Sequence, residues 1–285
     1  MANIKLIKRR INSAKNISQI TKAMQMVAAS KMKKAQERAV SGKPYAEKIS
    51  EAVKELSSRT NPENHPLLKR DIKTGKTLII LISTNKGLCG GLNTNLFRTL
   101  VSGFSEKTNT EFITLGKKGE HFVAATGRSL IADFSDTVPF TQSVPALTSL
   151  VVDGFIKENY KEVYLVYNNF ISALRQVPIQ KKLLPLGMFE EDSRSEKSNF
   201  SEFMIEPSES EVLNALLPSY IENQIRAGVL EAEASEQSAR MIAMKNATDS
   251  AIDLMTDLTL EYNKARQEKI TYEIADIVTA RIAVE

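Results

Sequence analysis

Tryptophan is absent from the 285 residues, cysteine occurs once, histidine twice, and aromatic side chains make up only 6% of the chain. A lone Cys89 excludes an intramolecular disulfide and a cysteine-built zinc site, and His65 and His121 supply too few ligands for a histidine-rich centre. Neither metal nor cofactor is expected. No run approaches the roughly 18 uncharged apolar residues of a membrane-crossing helix, so no direct membrane span is expected. Met1–Arg10 also lacks the apolar core of an export signal. Acidic residues are missing from Met1 to Gln36, a stretch that carries Lys5, Lys8, Arg9, Arg10, Lys15, Lys22, Lys31, Lys33 and Lys34. The net charge of +4 hides this polarity, which calls for an acidic partner or a negative surface. Against these absences, 42% hydrophobic and 25% charged residues are the balance of a globular protein with a sizeable core.

Glycine and proline are missing from Ala2 to Ser41, and apolar residues recur at gaps of three and four: Ile4, Ile7, Ile11, Ala14, Ile17, Ile20, Met24 and Val27. This predicts one long helix with a seam, roughly 60 Å in length. Gly42 and Pro44 are expected to interrupt it, with Tyr45–Ser58 resuming before Asn61, Pro62 and Pro66. Helical spacing returns from Ser208. Its seam reads Leu213, Leu216, Tyr220, Ala227, Leu230, Ala234, Met241, Met244, Thr248, Ala251, Met255, Leu258, Tyr262 and Ala265, with polar Asn223 and Gln237 holding places and Gly228 a weak point. About 65 such residues reach roughly 100 Å, so the two terminal helices are expected to pair antiparallel as a coiled coil. The C-terminal helix outreaches its partner. Its apolar end, Ile270, Ile274, Ile277, Val278, Ile282 and Val284, is then left for another protein to cover.

Between the helices the pattern changes. Thr77–Thr84 is a β-branched run, followed by the glycine-rich Lys86–Gly91 and a helical Asn93–Phe104. Strands are predicted at Glu111–Leu115 and Glu162–Tyr167, a helix at Thr148–Lys157, an edge strand at Val177–Leu184 and a polar loop at Glu190–Asn199. Alternating strands and helices predict a mainly parallel, Rossmann-like α/β domain. The expected organisation is a helix over 1–60, an α/β domain over 75–200 and a helix over 208–285.

The motifs with chemical potential are weak. Gly75-Lys76-Thr77 imitates the end of a phosphate-binding loop, yet Arg70 occupies the required first glycine and a strand follows. Gly87–Asn93 sits between strand and helix, where backbone amides can cradle an anion, but it lacks the dinucleotide spacing and reads better as a tight turn in a nucleotide-free domain. Cys89 reads as a small half-buried residue in preference to a reactive thiol. Neither histidine has neighbours that make a triad or ligand set. Nucleic acid is disfavoured, because the basic helix has no aromatic residue before Tyr45 on which bases would stack. A nucleotide-binding enzyme with helical dimerisation arms is the alternative carried forward.

Several ordered motifs together resemble the gamma subunit of the rotary ATP synthase. They are IKRRINSAKNISQITKAMQMVAASKMKKAQ, STNKGLCGGLN, YNNFISALRQVP with KKLLPL, SEQSARMIAMKNATDSAIDLM and LEYNKARQEKITYEIADIV. The resemblance covers nearly the whole chain. It implies a non-catalytic central stalk, one copy per complex, standing in a ring of three alpha and three beta subunits, with its lower part on the membrane c ring beside the epsilon subunit. By the same resemblance Met24 and Lys31 meet an acidic beta-subunit lever, and Arg266, Gln267 and Thr271 engage the beta-subunit catch loop. Lys86, Gly87, Leu88, Cys89, Gly90 and Gly91, with Glu206, belong to the foot that meets the c ring and epsilon. The implied place is the cytoplasmic face of a bacterial membrane, as a peripheral subunit, since no presequence precedes the first helix. Arg281 and Glu285 depart from the small, uncharged ends usual in the family. The chloroplast form's cysteine-bearing insertion is missing, so disulfide control is not expected.

Overall fold

A computed structural model describes residues 4–59, 65–68, 75–104, 109–186, 206 and 208–282. The expected polar loop at Glu190–Asn199 lies outside these residues, as do Asn61, Pro62, Val284 and Glu285. Helix α1 spans Ile4–Arg59, and helix α5 spans Glu209–Ile282. Between them run β1 (Lys76–Ile82), α2 (Leu92–Gly103), β2 (Thr110–Leu115), α3 (Lys117–Ala125), β3 (Ser129–Asp133), α4 (Val144–Ile156), β4 (Tyr160–Phe170) and β5 (Gln176–Leu184). The chain divides into two compact units, Met1–Ala29 with Arg240–Glu285, and Ser30–Ala239.

In the first unit the two helices pair antiparallel. Ile7 clusters with Leu258 and Ala265, joined by Ile4, Ile11 and Tyr262, while farther along α1 the Thr21 hydroxyl meets that of Thr248, nearer the start of α5, at 2.7 Å. Buried positions on α1 fall every seven residues, at Ile7, Ala14, Thr21 and Ala28, and α5 answers with a seven-residue series at Met244, Ala251, Leu258 and Ala265, with Thr248 buried beside it. Seven-residue spacing keeps one line of a helix against its partner.

The seam of α1 differs from its sequence-based expectation. Ile17, Ile20, Met24 and Val27 are 40–56% exposed, and the seam places pass to Ser18, Thr21, Gln25 and Ala28. Ile11, Ala14, Ile17 and Ile20 follow one another by gaps of three. At about 100° per residue those nine residues turn the helix by about two and a half turns, which places Ile20 opposite Ile11. The helix keeps its heptad and leaves the apolar row outside.

The second unit is built on a five-stranded mixed sheet in the order β3-β2-β1-β4-β5. β1 to β4 run parallel and β5 returns antiparallel after a short hairpin, as expected for an edge strand. Ile80 at the centre faces Ile113 on one side and Leu165 on the other. β1 is buried on both faces. Leu78, Ile80 and Ile82 enter one core with α4, and Ile79 and Leu81 enter the other with Leu96 and Leu100 of α2 and Val123 of α3. An apolar run without alternation is what a strand covered on both sides requires.

The α4 side also takes Ile49, Val53 and Leu56 of α1 and Leu213, Leu217, Ile221, Ile225 and Val229 of α5. Here α5 buries every fourth residue, an i±4 row lying on the sheet, so Leu216 and Tyr220 are only partly buried where the heptad placed them. Gly228, read as a weak point, is a point of close approach. A Cβ there would stand 2.6 Å from Leu165 Cδ2. Nor do Gly42 and Pro44 break α1, which runs through both. α3 and β3 have no counterpart among the expected elements, since α3 carries Gly119 in a short KKGEHFVAA segment and β3 is a mostly exposed edge.

Candidate partner-binding surfaces

Three surfaces carry the residues singled out by sequence. The first is the end of α5. Every residue from Arg266 to Ile282 is exposed, beginning directly after Ala265, the last seam position. Ile270, Ile274, Ile277 and Ile282 are 46–69% exposed, a row of large apolar side chains that nothing in the described chain covers. Arg266 and Gln267 sit at its base, and Thr271 lies one turn on from Gln267, whose carbonyl accepts its hydroxyl at 2.9 Å. These three residues therefore share about a turn and a half of helix.

The second surface is the outer face of α1, with Met24 and Lys31 both exposed and seven residues apart. Ile17, Ile20 and Val27 lie on the same exposed side as Met24, at the gaps of an additional helix seam. Sequence reasoning assigned these residues to the inner seam. The signal that would have separated the two faces is the run of three consecutive gaps of three.

The third is the β1–α2 turn. Thr84 Oγ1 donates to the Lys86 carbonyl at 2.8 Å, and Asn93 Nδ2 donates to Thr84 Oγ1 at 2.8 Å and to Cys89 Sγ at 3.6 Å. The turn is thus tied to the strand before it and the helix after it. Cys89 is buried, which matches a packing role, whereas Leu88 adopts a left-handed backbone (φ 64°) with its side chain largely exposed. A leucine held in that strained region by surrounding hydrogen bonds is a fixed apolar knob, a device met at contact sites. The neighbouring α3 start is closed in the same way. The amides of Lys117, Lys118 and Gly119 are taken by Asn85 Oδ1, the Thr84 carbonyl and Ser83 Oγ. Glu206 is exposed ahead of α5.

No helix among the described residues is long and apolar enough to cross a membrane. The geometry is therefore one of exposed apolar and basic faces on long helices. The family model described as ATP synthase matches residues 3–284. ATP synthase gamma chains from Dehalococcoides mccartyi strain BAV1 and Opitutus terrae are 40% and 43% identical to this chain, covering 100% and 99% of both partners in each pairing. The chain belongs to the ATP synthase gamma chain family. Solved structures of ATP synthases resemble it as well. The rotor of the Euglena gracilis mitochondrial ATP synthase matches with a TM-score of 0.65 at 23% identity, over 94% of this chain and 98% of that one. The central stalk and c-ring structure from Tetrahymena thermophila matches at 0.59 with 27% identity, over 80% of this chain and 99% of that one. The fold of this chain is thus shared with chains of those rotor and central-stalk structures.

Proposed function

We propose that this gamma chain is the central rotor of an ATP synthase, transmitting torque between a membrane c ring and a catalytic hexamer of alpha and beta subunits. The observation that carries the reading is the bare end of α5, where an apolar row continues past the last paired residue of α1. A rotor needs such an end to sit in a sleeve of other subunits. Apolar contacts are non-directional and slide with little penalty, whereas fixed ion pairs would hold the shaft at particular angles.

Torque transfer needs an asymmetric shaft, because three identical catalytic sites differ only through what they touch. Rotation shifts the conformational populations of each site in turn, and so converts mechanical work into differential nucleotide affinity. Catalysis belongs to the beta subunits in this scheme. Met24 and Lys31, with the exposed Ile17, Ile20 and Val27, form the face toward an acidic beta-subunit lever, and the basic first 36 residues supply the matching charge. Arg266, Gln267 and Thr271 engage the beta-subunit catch. The turn Lys86–Gly91 and Glu206 belong to the foot at the c ring and epsilon subunit. The three segments 1–60, 75–200 and 208–285 divide these tasks, at the cytoplasmic face of a bacterial membrane.

Reconstitution tests the proposal. Purified alone the chain is expected not to hydrolyse ATP. Mixed with alpha and beta subunits it is expected to give a complex with one gamma copy on the axis of the ring and ATPase activity. A chain that neither enters the ring nor changes its activity would refute the rotor role.

A further inference from the structure

One seven-residue series of buried positions continues through the second part of α1, at Ala35, Ile49 and Leu56, joined near its end by Val53, Glu55 and Ser57, with one place in the series left over: Gly42. It is exposed, and a Cβ built on it would meet no atom within 4 Å. The seam therefore has a missing rung. No residue from Glu37 to Lys48 is fully buried, so α1 crosses about 21 Å between the anchors Ala35 and Ile49 with only the small, half-buried Ala39 and Ala46 turned inward. Within that span stand the two residues least suited to a helix interior. Pro44 supplies no amide for the Val40 carbonyl, and its ring crowds that carbonyl. Relative to alanine, proline lowers local helix population about a hundredfold and glycine about fivefold. What supports the span is a set of exposed ion pairs, Lys33–Glu37, Lys43–Glu47 and Lys48–Glu51, each weak in water.

We infer that Glu37–Lys48 is a compliant joint in α1, opening locally about Gly42 and Pro44 while the anchors on either side stay packed. In the same unit α5 is clamped to the sheet at every fourth residue from Leu213 to Val229, so compliance is confined to one of the two helices. The joint gives α1 a place to bend or untwist without disturbing the α/β core. It is a property of the chain alone and is independent of which partners the chain meets.

Hydrogen–deuterium exchange on the full-length chain tests it. Amides of 37–48 are expected to exchange at least tenfold faster than those of 28–35 and 49–56. The double variant Gly42→Ala, Pro44→Ala is expected to slow 37–48 at least tenfold and leave 213–229 unchanged. Both substitutions improve helix propensity, and the space at Gly42 accepts the added methyl, so the variant is expected to fold. Protection of 37–48 equal to its flanks in the parent chain would overturn the inference. So would fast exchange that the double variant does not slow, because the opening would then not arise from these two residues.

Discussion

The two faces of α1 give the sharpest test of this structure. Ile7 is 4% exposed and belongs to the seam cluster, whereas Ile20 and Val27 are each 56% exposed. Truncating a buried isoleucine to alanine costs about 2–4 kcal/mol through lost transfer energy and the cavity left behind. At Ile20 less than half of the side chain is withdrawn from water, which limits the loss to about 1 kcal/mol, and at Val27 to about 0.5 kcal/mol. Ile7→Ala is therefore expected to raise amide exchange in 4–28 and 244–265 by a factor of about 30 or more, since each 1.4 kcal/mol is about tenfold. Ile20→Ala with Val27→Ala is expected to change it by no more than about 12-fold, from a summed loss of about 1.5 kcal/mol. Assembly with alpha and beta subunits should respond in the opposite sense. The double variant of the outer face loses affinity for the ring, and its helix pair stays intact. A loss of more than about 3 kcal/mol of local protection in Ile20→Ala, Val27→Ala would show that these residues lie in the seam and refute the heptad described here.

Arg266→Ala combined with Gln267→Ala removes exposed groups and should leave the stability of the free chain within about 0.5 kcal/mol, while lowering ATP-driven activity of the assembled complex; unchanged coupled synthesis would exclude them from the catch. Gly228→Ala gains about 1 kcal/mol of helix propensity but drives a methyl against Leu165, itself fully buried, at a cost of about 1–3 kcal/mol. A net loss of about 1 kcal/mol is expected in urea unfolding of the α/β unit, and a stabilised variant would contradict the close approach. Burial holds the His65 imidazole below its ordinary value of 6.5, a hydrogen bond with Asn214 opposing the shift. The folded state thus disfavours the proton, so its contribution is fully present above about 6.5 and is lost as pH falls through the lowered folded value. His65→Gln should flatten the pH dependence of stability below about 6.5, as read by thermal melts at several pH values.

Much of this architecture is legible in the residues. The β-branched Thr77–Ile82 run, the two long stretches of three-and-four spacing and the overhang of the C-terminal helix each rest on local periodicity. The mixed sheet and the exposed Ile270–Ile282 row correspond to those patterns. α3 and β3 were less visible, because Gly119 lies inside one and the other is five residues at an exposed edge with little alternation.

The sequence by itself determined that the two terminal segments are long helices, that they carry apolar faces, and that one end remains uncovered, because these depend on residue type at fixed spacing. Tertiary structure decided which face turns inward. On α1 two apolar rows compete, and the one joined by Thr21 to Thr248 lies inside although it is smaller and more polar, since only it keeps a constant line against α5. It decided likewise that α5 buries every fourth residue where a sheet lies beneath it and every seventh where a helix does. The same helix meets surfaces of different shape, and the spacing of its buried residues follows the surface.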